Sequence, residues 1–339
     1  MAVKIIGSSG TVDYATPTTW LSYIYTLSAL TAPEIGLMQN EEFNVAGVLM
    51  ENASTVPTST NYIMLAAVTG SEPTSPLRYG TGARILLDGA NEYFKVAWNF
   101  TKLQNFAIKG TGSNAFIGRL WADNVSSEIR NITVEEWTMN TDTQAIFDDR
   151  AAAAVTRENL NLVLCSTSGC HALRNSNGNV TYKNCNFVAL VSNSLTAHKS
   201  SYSSSPILIN CLFYGWPNGE VSAYTTTGSK NCGTTNALSN SRISAVTSAV
   251  FSVSAGEFVN LTPATLDLRL VSIASQLRDK GAASGGTTTD IFGTSIYNGT
   301  RDIGAYEFTE SSGTPAGGGL PYYVLRRRRG FAHTLRISG

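Results

Sequence analysis

Asn131-Ile132-Thr133-Val134, Asn159-Leu160-Asn161-Leu162, Asn184-Cys185-Asn186-Phe187 and Asn210-Cys211-Leu212-Phe213 are four copies of one pattern. Each is an asparagine, an apolar residue, any residue, then a second apolar residue. An earlier copy stands at Asn105-Phe106-Ala107-Ile108, and a degraded one follows at Asn231-Cys232. The steps from Asn to Asn are 26, 28, 25, 26 and 21 residues, inside the ~20–50-residue window of solenoid repeats. The apolar residues alternate with period two, so each copy reads as a short strand. Between copies lie turn residues, as in Ser176-Asn177-Gly178-Asn179. There is no helical period between the copies and no excess of leucine, so helical and leucine-rich repeats are disfavoured. The pattern predicts an all-β chain, a single parallel β-helix.

In such a stack equivalent residues lie one above another. Asn105, Asn131, Asn159, Asn184 and Asn210 are expected to form a ladder, each amide donating and accepting between rungs. The residue after each Asn is expected to face inward, which makes Cys185, Cys211 and Cys232 an internal stack of small side chains. A metal-binding or nucleophilic role for these cysteines finds no CxxC pair or adjacent His to support it. The odd count of five cysteines argues against a full disulfide framework.

Composition agrees with a sheet-rich chain. Charged residues are 14% of the 339, against about 25% on average, while 42% are apolar, too many for disorder. Net charge is zero but unevenly placed. Residues 320–339 hold five arginines and no acid, so the rest of the chain carries −5. That body is not a nucleic-acid binder by charge. Met1-Ala2-Val3-Lys4-Ile5-Ile6 meets Gly7 too early for a signal peptide, and no stretch reaches the ~20 apolar residues of a membrane span. Synthesis and folding in a reducing cytoplasm are expected.

Both ends of a solenoid need caps. Thr16-Pro17 has the form of a helix N-cap with proline in the first turn. Trp20, Ile24 and Leu27 then share a face, with Leu21 and Tyr25 beside it, which predicts an amphipathic helix of about three to four turns. The expected organisation is a cap over residues 1–42, a β-helix over 43–308, a Gly-rich flexible linker over 309–319, and a basic, aromatic tail over 320–339.

Asp279-Lys280-Gly281 followed by Arg301-Asp302-Ile303-Gly304-Ala305-Tyr306-Glu307 resembles the closing signature of the pectin-lyase-like β-helix proteins of the choice-of-anchor Q type. The opening Asp13-Tyr14-Ala15-Thr16 with Trp20 resembles bacteriophage-encoded members of that group. The resemblance covers roughly residues 7–308. It implies a right-handed coil and a role as a bacterial surface protein or a phage structural protein. Secreted members carry a signal peptide and an apolar C-terminal anchor. A protein released by lysis needs neither, so the expected function is a virion component made in the host cytoplasm: a head decoration, tail fibre or spike. The alternatives are a polysaccharide-degrading or glycan-binding tailspike-like protein, and a bacterial surface adhesin.

An enzyme of this architecture would need two or three carboxylates on one face, roughly 5–10 Å apart. The candidates are Asp142, Asp148 and Asp149. With Asn140-Thr141-Asp142, Asp148-Asp149 and Gly169-Cys170-His171, the order resembles the motifs of the polygalacturonase family. The match fails in detail. Asp142 and Asp148 are too close in sequence to be one rung apart, Ala172 replaces a glycine, and the basic Arg-x-Lys motif is missing. These acids are therefore expected in an exposed loop, and Glu135-Glu136 at an exposed strand edge. His171, His198 and His333 are too scattered to bind a metal, and no cofactor is expected. Tyr202, Tyr214, Trp216 and Tyr224 are expected to cover the side of the stack, with stacking on sugar rings as the alternative.

The tail sets Tyr322, Tyr323 and Phe331 around Arg326, Arg327, Arg328 and Arg329. Aromatic residues beside bidentate-pairing arginines suit an anchor on an acidic capsid or tail protein. Packaged DNA and an anionic membrane are the competing partners. A host surface glycan and a homotrimer are compatible further associations.

Overall fold

The computed structural model describes residues 2–51, 57–68, 82–89, 93–112, 118–122, 127–139, 144–150, 155–165, 169–175, 180–191, 195–200, 206–216, 218, 228–235, 250–262, 266–271, 275–282, 284–293, 295 and 300–308. The fold is a right-handed parallel β-helix. Its first wall runs through the strands Ala2–Ile6, Glu34–Met38, Ile63–Ala67, Thr101–Gly110, Glu128–Glu136, Val155–Leu164, Asn186–Ala189, Leu212–Tyr214, Cys232–Thr234 and Val250–Ser252, each paired with the next. A second wall of six strands runs from Val48–Met50 to His198–Ser200. Every strand pairing in these two walls is parallel. The strands Ala2–Ile6 and Glu34–Met38, inside the span expected as the N-terminal cap, are the first two described strands of this wall.

From the rung of Thr101–Gly110 to that of Cys232–Thr234, each corner is an asparagine in the left-handed region. Asn105, Asn131, Asn159, Asn184, Asn210 and Asn231 have φ of +64°, +53°, +53°, +52°, +56° and +46°. Asn tolerates this backbone better than other residues with a Cβ. In the earlier rungs one strand bends at this point. From Asn184 onward the corner divides it, as between Val180–Lys183 and Asn186–Ala189.

Alternation then fills the interior. Ile108, Val134, Leu162, Phe187 and Phe213 are in register down the first wall, with the Phe187 and Phe213 rings stacked 4.8 Å apart. Phe94, Leu120, Phe147 and Leu173 line the second wall from inside. Ile132, Leu160, Cys185, Cys211 and Cys232 all lie in this core, and the five cysteines are free thiols.

The first coil is plugged by a helix, Pro17–Thr26. Thr16 caps it, its side chain accepting from the Thr19 N–H. Trp20, Leu21 and Ile24 are buried beneath the stack. Gly36 makes room for the Trp20 indole, since a Cβ there would lie 2.9 Å from the ring. The helix is ten residues long, shorter than the predicted three to four turns. It stops where the Leu27 N–H turns back to the Ile24 carbonyl and Leu27 becomes extended.

Candidate functional site

The asparagine corners are joined through their side chains. Asn131 Nδ2 donates to Asn105 Oδ1 at 2.8 Å, Asn159 Nδ2 to Asn131 Oδ1 at 2.9 Å, and Asn210 Nδ2 to Asn184 Oδ1 at 3.5 Å. A second polar ladder lies two residues further on. Asn186 Nδ2 donates to Asn161 Oδ1 at 2.8 Å, and Asn161 Nδ2 to Thr133 Oγ1 at 3.1 Å. This second ladder is written in the sequence as Asn159-Leu160-Asn161 and Asn184-Cys185-Asn186, a repeated Asn-x-Asn that the single-Asn pattern passes over.

The described residues of the closing segment, 279–282, 284–293, 295 and 300–308, lie on both ladders as a strap. Asn231 Nδ2 donates to the Lys280 carbonyl at 2.6 Å, and the Ala282 N–H to Asn210 Oδ1 at 2.6 Å. Thr287 spans the gap in the first ladder: its N–H donates to Asn184 Oδ1 at 3.4 Å and its hydroxyl to Asn159 Oδ1 at 3.3 Å. The Ala305 N–H donates to Asn186 Oδ1 at 3.2 Å, and Asn161 Nδ2 to the Tyr306 hydroxyl oxygen at 2.6 Å. Burial raises the Tyr306 hydroxyl well above its ordinary pKa. Gly304, at φ +104°, passes so close that a Cβ would sit 2.6 Å from Asn186 Oδ1. Asp302 ties the strap to itself by accepting from the N–H groups of Asp279 and Phe308. Ile303, Ala305 and Tyr306 join Leu266, Leu268, Leu270 and Leu277 in a second apolar cluster over Val163, Cys165, Val188 and Leu212 of the wall. The glycines and acids of the closing signature thus build a clamp.

Two of the candidate catalytic acids, Asp148 and Asp149, are among the described residues. Asp148 and Asp149 lie in a strand, Ala145–Asp149, and both are fully buried, so the expected exposed loop is corrected. Adjacent strand residues point to opposite faces. Asp149 accepts from Arg157 Nε at 2.9 Å, Arg157 Nη2 at 3.0 Å and the Tyr182 hydroxyl at 3.0 Å. Arg157 also donates to the Ser127 carbonyl and is wholly buried. Burial, with the Asp149 charge behind it, pushes the Tyr182 hydroxyl well up. Asp148 sits in an outward column, in register with Trp121 on one side and Arg174 on the other. Arg150 Nε donates to Asp148 Oδ2 at 2.8 Å, and the Arg150 guanidinium and Lys95 ammonium each lie 4.4 Å from the centre of the Trp121 ring. Burial raises the Asp148 carboxyl above its usual range, against the pull of Arg150 and Arg174. Asp148 Oδ1 and Trp121 Nε1 are buried without a hydrogen-bond partner. Asp142 lies outside the described residues.

Other expectations divide. Glu135 and Glu136 are buried, not at an exposed edge: Glu136 Oε1 accepts from the N–H groups of Thr138 and Met139 at 2.7 and 2.9 Å, closing the turn after its strand. Trp216 is buried and donates to the Phe187 carbonyl at 2.9 Å, and Tyr214 packs edge-on against Phe258. Tyr202 and Tyr224 lie outside the described residues, as do Tyr322, Tyr323, Arg326, Arg327, Arg328, Arg329, Phe331 and His333 of the tail. His171 and His198 are both interior. His171 Nδ1 lies 2.7 Å from the Thr196 carbonyl, while both His198 nitrogens lack a partner. Burial, reinforced by His171, pushes His198 down to about 3. Among the described residues no group of three or more His, Cys, Asp or Glu could hold a metal ion, and no helix is long and apolar enough to cross a membrane.

Comparison with protein-family models, with curated proteins and with solved structures returned no match for this chain.

Proposed function

We propose that this chain is a structural component of a phage particle, a β-helix displayed at its surface as a head decoration, tail fibre or spike and attached through residues 320–339. The observation that carries this reading is how the conspicuous polar residues are used. Asp149 is held inside the wall by Arg157 and Tyr182, and the strap covers Asn159, Asn184 and Asn210 of one ladder and Asn161 and Asn186 of the other. These groups hold the coil together and are out of a substrate's reach. The resemblance of the opening and closing motifs to phage-encoded β-helix proteins supplies the particle. The basic, aromatic tail supplies the anchor. Removing residues 320–339 should leave the melting transition unchanged and abolish incorporation into particles. Normal incorporation of the truncated chain would refute the anchoring role.

A second reading, glycan binding or cleavage, is favoured by one feature. Asp148 Oδ1 and Trp121 Nε1 are an unpartnered acceptor and donor on residues in register, both atoms buried next to the Arg150 and Lys95 side chains that lie over the Trp121 ring. A sugar hydroxyl can serve both once those side chains swing off the ring. Under the first reading the purified protein releases no oligosaccharide from capsule, alginate or pectin. Turnover that disappears in Asp148→Asn would replace it with the second.

A further inference from the structure

We propose that the strap is a latch that alkaline conditions release from the β-helix while the rungs stay folded. Its geometry concentrates acids where the strap grips itself. Asp290, Asp302 and Glu307 are buried, at 3%, 1% and 9% exposure. They are linked in series: the Asp302 N–H donates to Glu307 Oε1 at 3.3 Å, and the Glu307 N–H to Asp290 Oδ2 at 3.4 Å. Asp279 adds a fourth carboxylate beside Asp302. Two arginines face this group. Arg278 pairs with Asp279 at 3.4 Å and lies over the Phe308 ring, and Arg301 donates to Thr287 Oγ1 at 3.0 Å while facing Glu307 and Glu158 of the wall. Asp267 and Arg269 pair with each other beside Tyr306. Three buried acids and the exposed Asp279 thus meet two cations in the knot. Burial raises Glu307 to about 8, with Asp302 adding to the rise, and burial raises Asp302 to about 6.

The sign follows from linkage. A carboxyl with a raised pKa in the closed strap stabilises closure when protonated, and that contribution is lost as pH rises through the folded value. For Asp302 the loss runs from about 4 to about 6, and for Glu307 from about 4.5 to about 8. One pKa unit is tenfold in an equilibrium. Even after discounting for solvent at the strap's outer side, opening should grow by about a hundredfold or more between pH 5 and pH 9.

The chain carries its own reporter. Cys165 belongs to the apolar cluster that the strap covers, whereas Cys185, Cys211 and Cys232 belong to the core inside the coil. The experiment labels the full-length protein briefly with a maleimide from pH 6 to pH 9.5 and maps the modified peptides. Rates are divided by those of a small-molecule thiol to remove ordinary thiolate formation. The corrected Cys165 rate should rise at least tenfold with a midpoint near pH 8, with the core cysteines protected throughout. Glu307→Gln should flatten the rise, whereas Asp302→Asn, whose own titration lies mostly below this pH range, should keep the rise and move its midpoint down by removing the charge that raises Glu307. Gly304→Ala, which drives a Cβ against Asn186, should raise Cys165 labelling at every pH. A flat Cys165 profile, simultaneous labelling of core cysteines, an unaltered profile in Glu307→Gln, or no response to Gly304→Ala would each overturn the latch.

Discussion

Asp149 offers the sharpest test of the interior. It receives three hydrogen bonds, two of them the parallel pair from Arg157 and one from Tyr182, and neither partner of the ion pair touches solvent. Removing one member strands the other. In Asp149→Leu the guanidinium loses its carboxylate and keeps the Ser127 carbonyl; in Arg157→Met the carboxylate loses its paired guanidinium and keeps Tyr182. Breaking a buried pair from one side costs about 3–5 kcal/mol, because an uncompensated charge stays in the interior. Removing both charges together with residues of similar volume, Asp149→Leu with Arg157→Met, leaves no orphan charge and should cost far less than the two single changes combined, on the order of 1–2 kcal/mol with the Tyr182 hydroxyl left unpaired. The double-mutant cycle should therefore return a coupling of at least ~3 kcal/mol. Equilibrium urea unfolding of the four proteins, compared at equal m values, measures it. Single substitutions that each cost under ~1 kcal/mol, or a double that costs the sum of the two, would refute the structural assignment of Asp149 and reopen a catalytic one.

Two further outcomes test the ladder and the second wall. Asn184→Gly keeps the left-handed corner and loses the contacts to Asn210 and Thr287, so it should cost ~1 kcal/mol, whereas Asn184→Ala adds backbone strain and should cost ~2–3 kcal/mol; equal losses in urea titrations would show that the corner does not need the residue. His198 is held neutral down to about pH 3, so the unfolded chain takes up a proton below pH 6.5 that the folded chain refuses, and stability should fall by about 1.4 kcal/mol per pH unit as the solution is acidified. His198→Leu should remove that slope, and an unchanged slope between pH 6 and pH 4 would count against the buried neutral imidazole.

The coil was legible because its determinants are local and repeated. A left-handed corner wants Asn, the residue after it faces inward, and both recur at a nearly constant step, so Asn105 to Asn210 mark the rungs without knowledge of the fold. The cap was legible from Thr16-Pro17 and the spacing of Trp20 and Ile24. What was not legible depends on register between distant residues. Asp149 meets Arg157 eight residues later and Tyr182 thirty-three residues later, and nothing in Asp148-Asp149 itself says that one acid turns into the core. Consecutive acids read as a solvated loop because burying them is costly unless each has a partner. Glu136 was misread for the same reason: its partners are the N–H groups of its own following turn. The closing signature was recognisable as a motif. Its action was not, since the strap contacts corners and ladders 49 to 145 residues upstream.

Strongly shifted titrating groups often mark an active site, and here they mark closure of the solenoid. His198 is shifted by its place at the end of the second wall, and Asp302, Tyr306 and Glu307 by the strap that buries them. These shifts act in opposite directions and on different parts. Acid penalises the His198 end and alkali the strap. Each rung of a solenoid contacts only its neighbours, so the two openings need not propagate into each other. Asp148 differs from both, because burial raises it within the second wall, against the pull of Arg150 and Arg174. The two functional readings therefore part at this residue. If Asp148 only anchors Arg150 against Trp121, Asp148→Asn loosens that column and lowers stability with no effect on glycan retention. If its unpartnered oxygen receives a sugar hydroxyl, the same substitution removes retention on a glycan column while the unfolding transition barely moves.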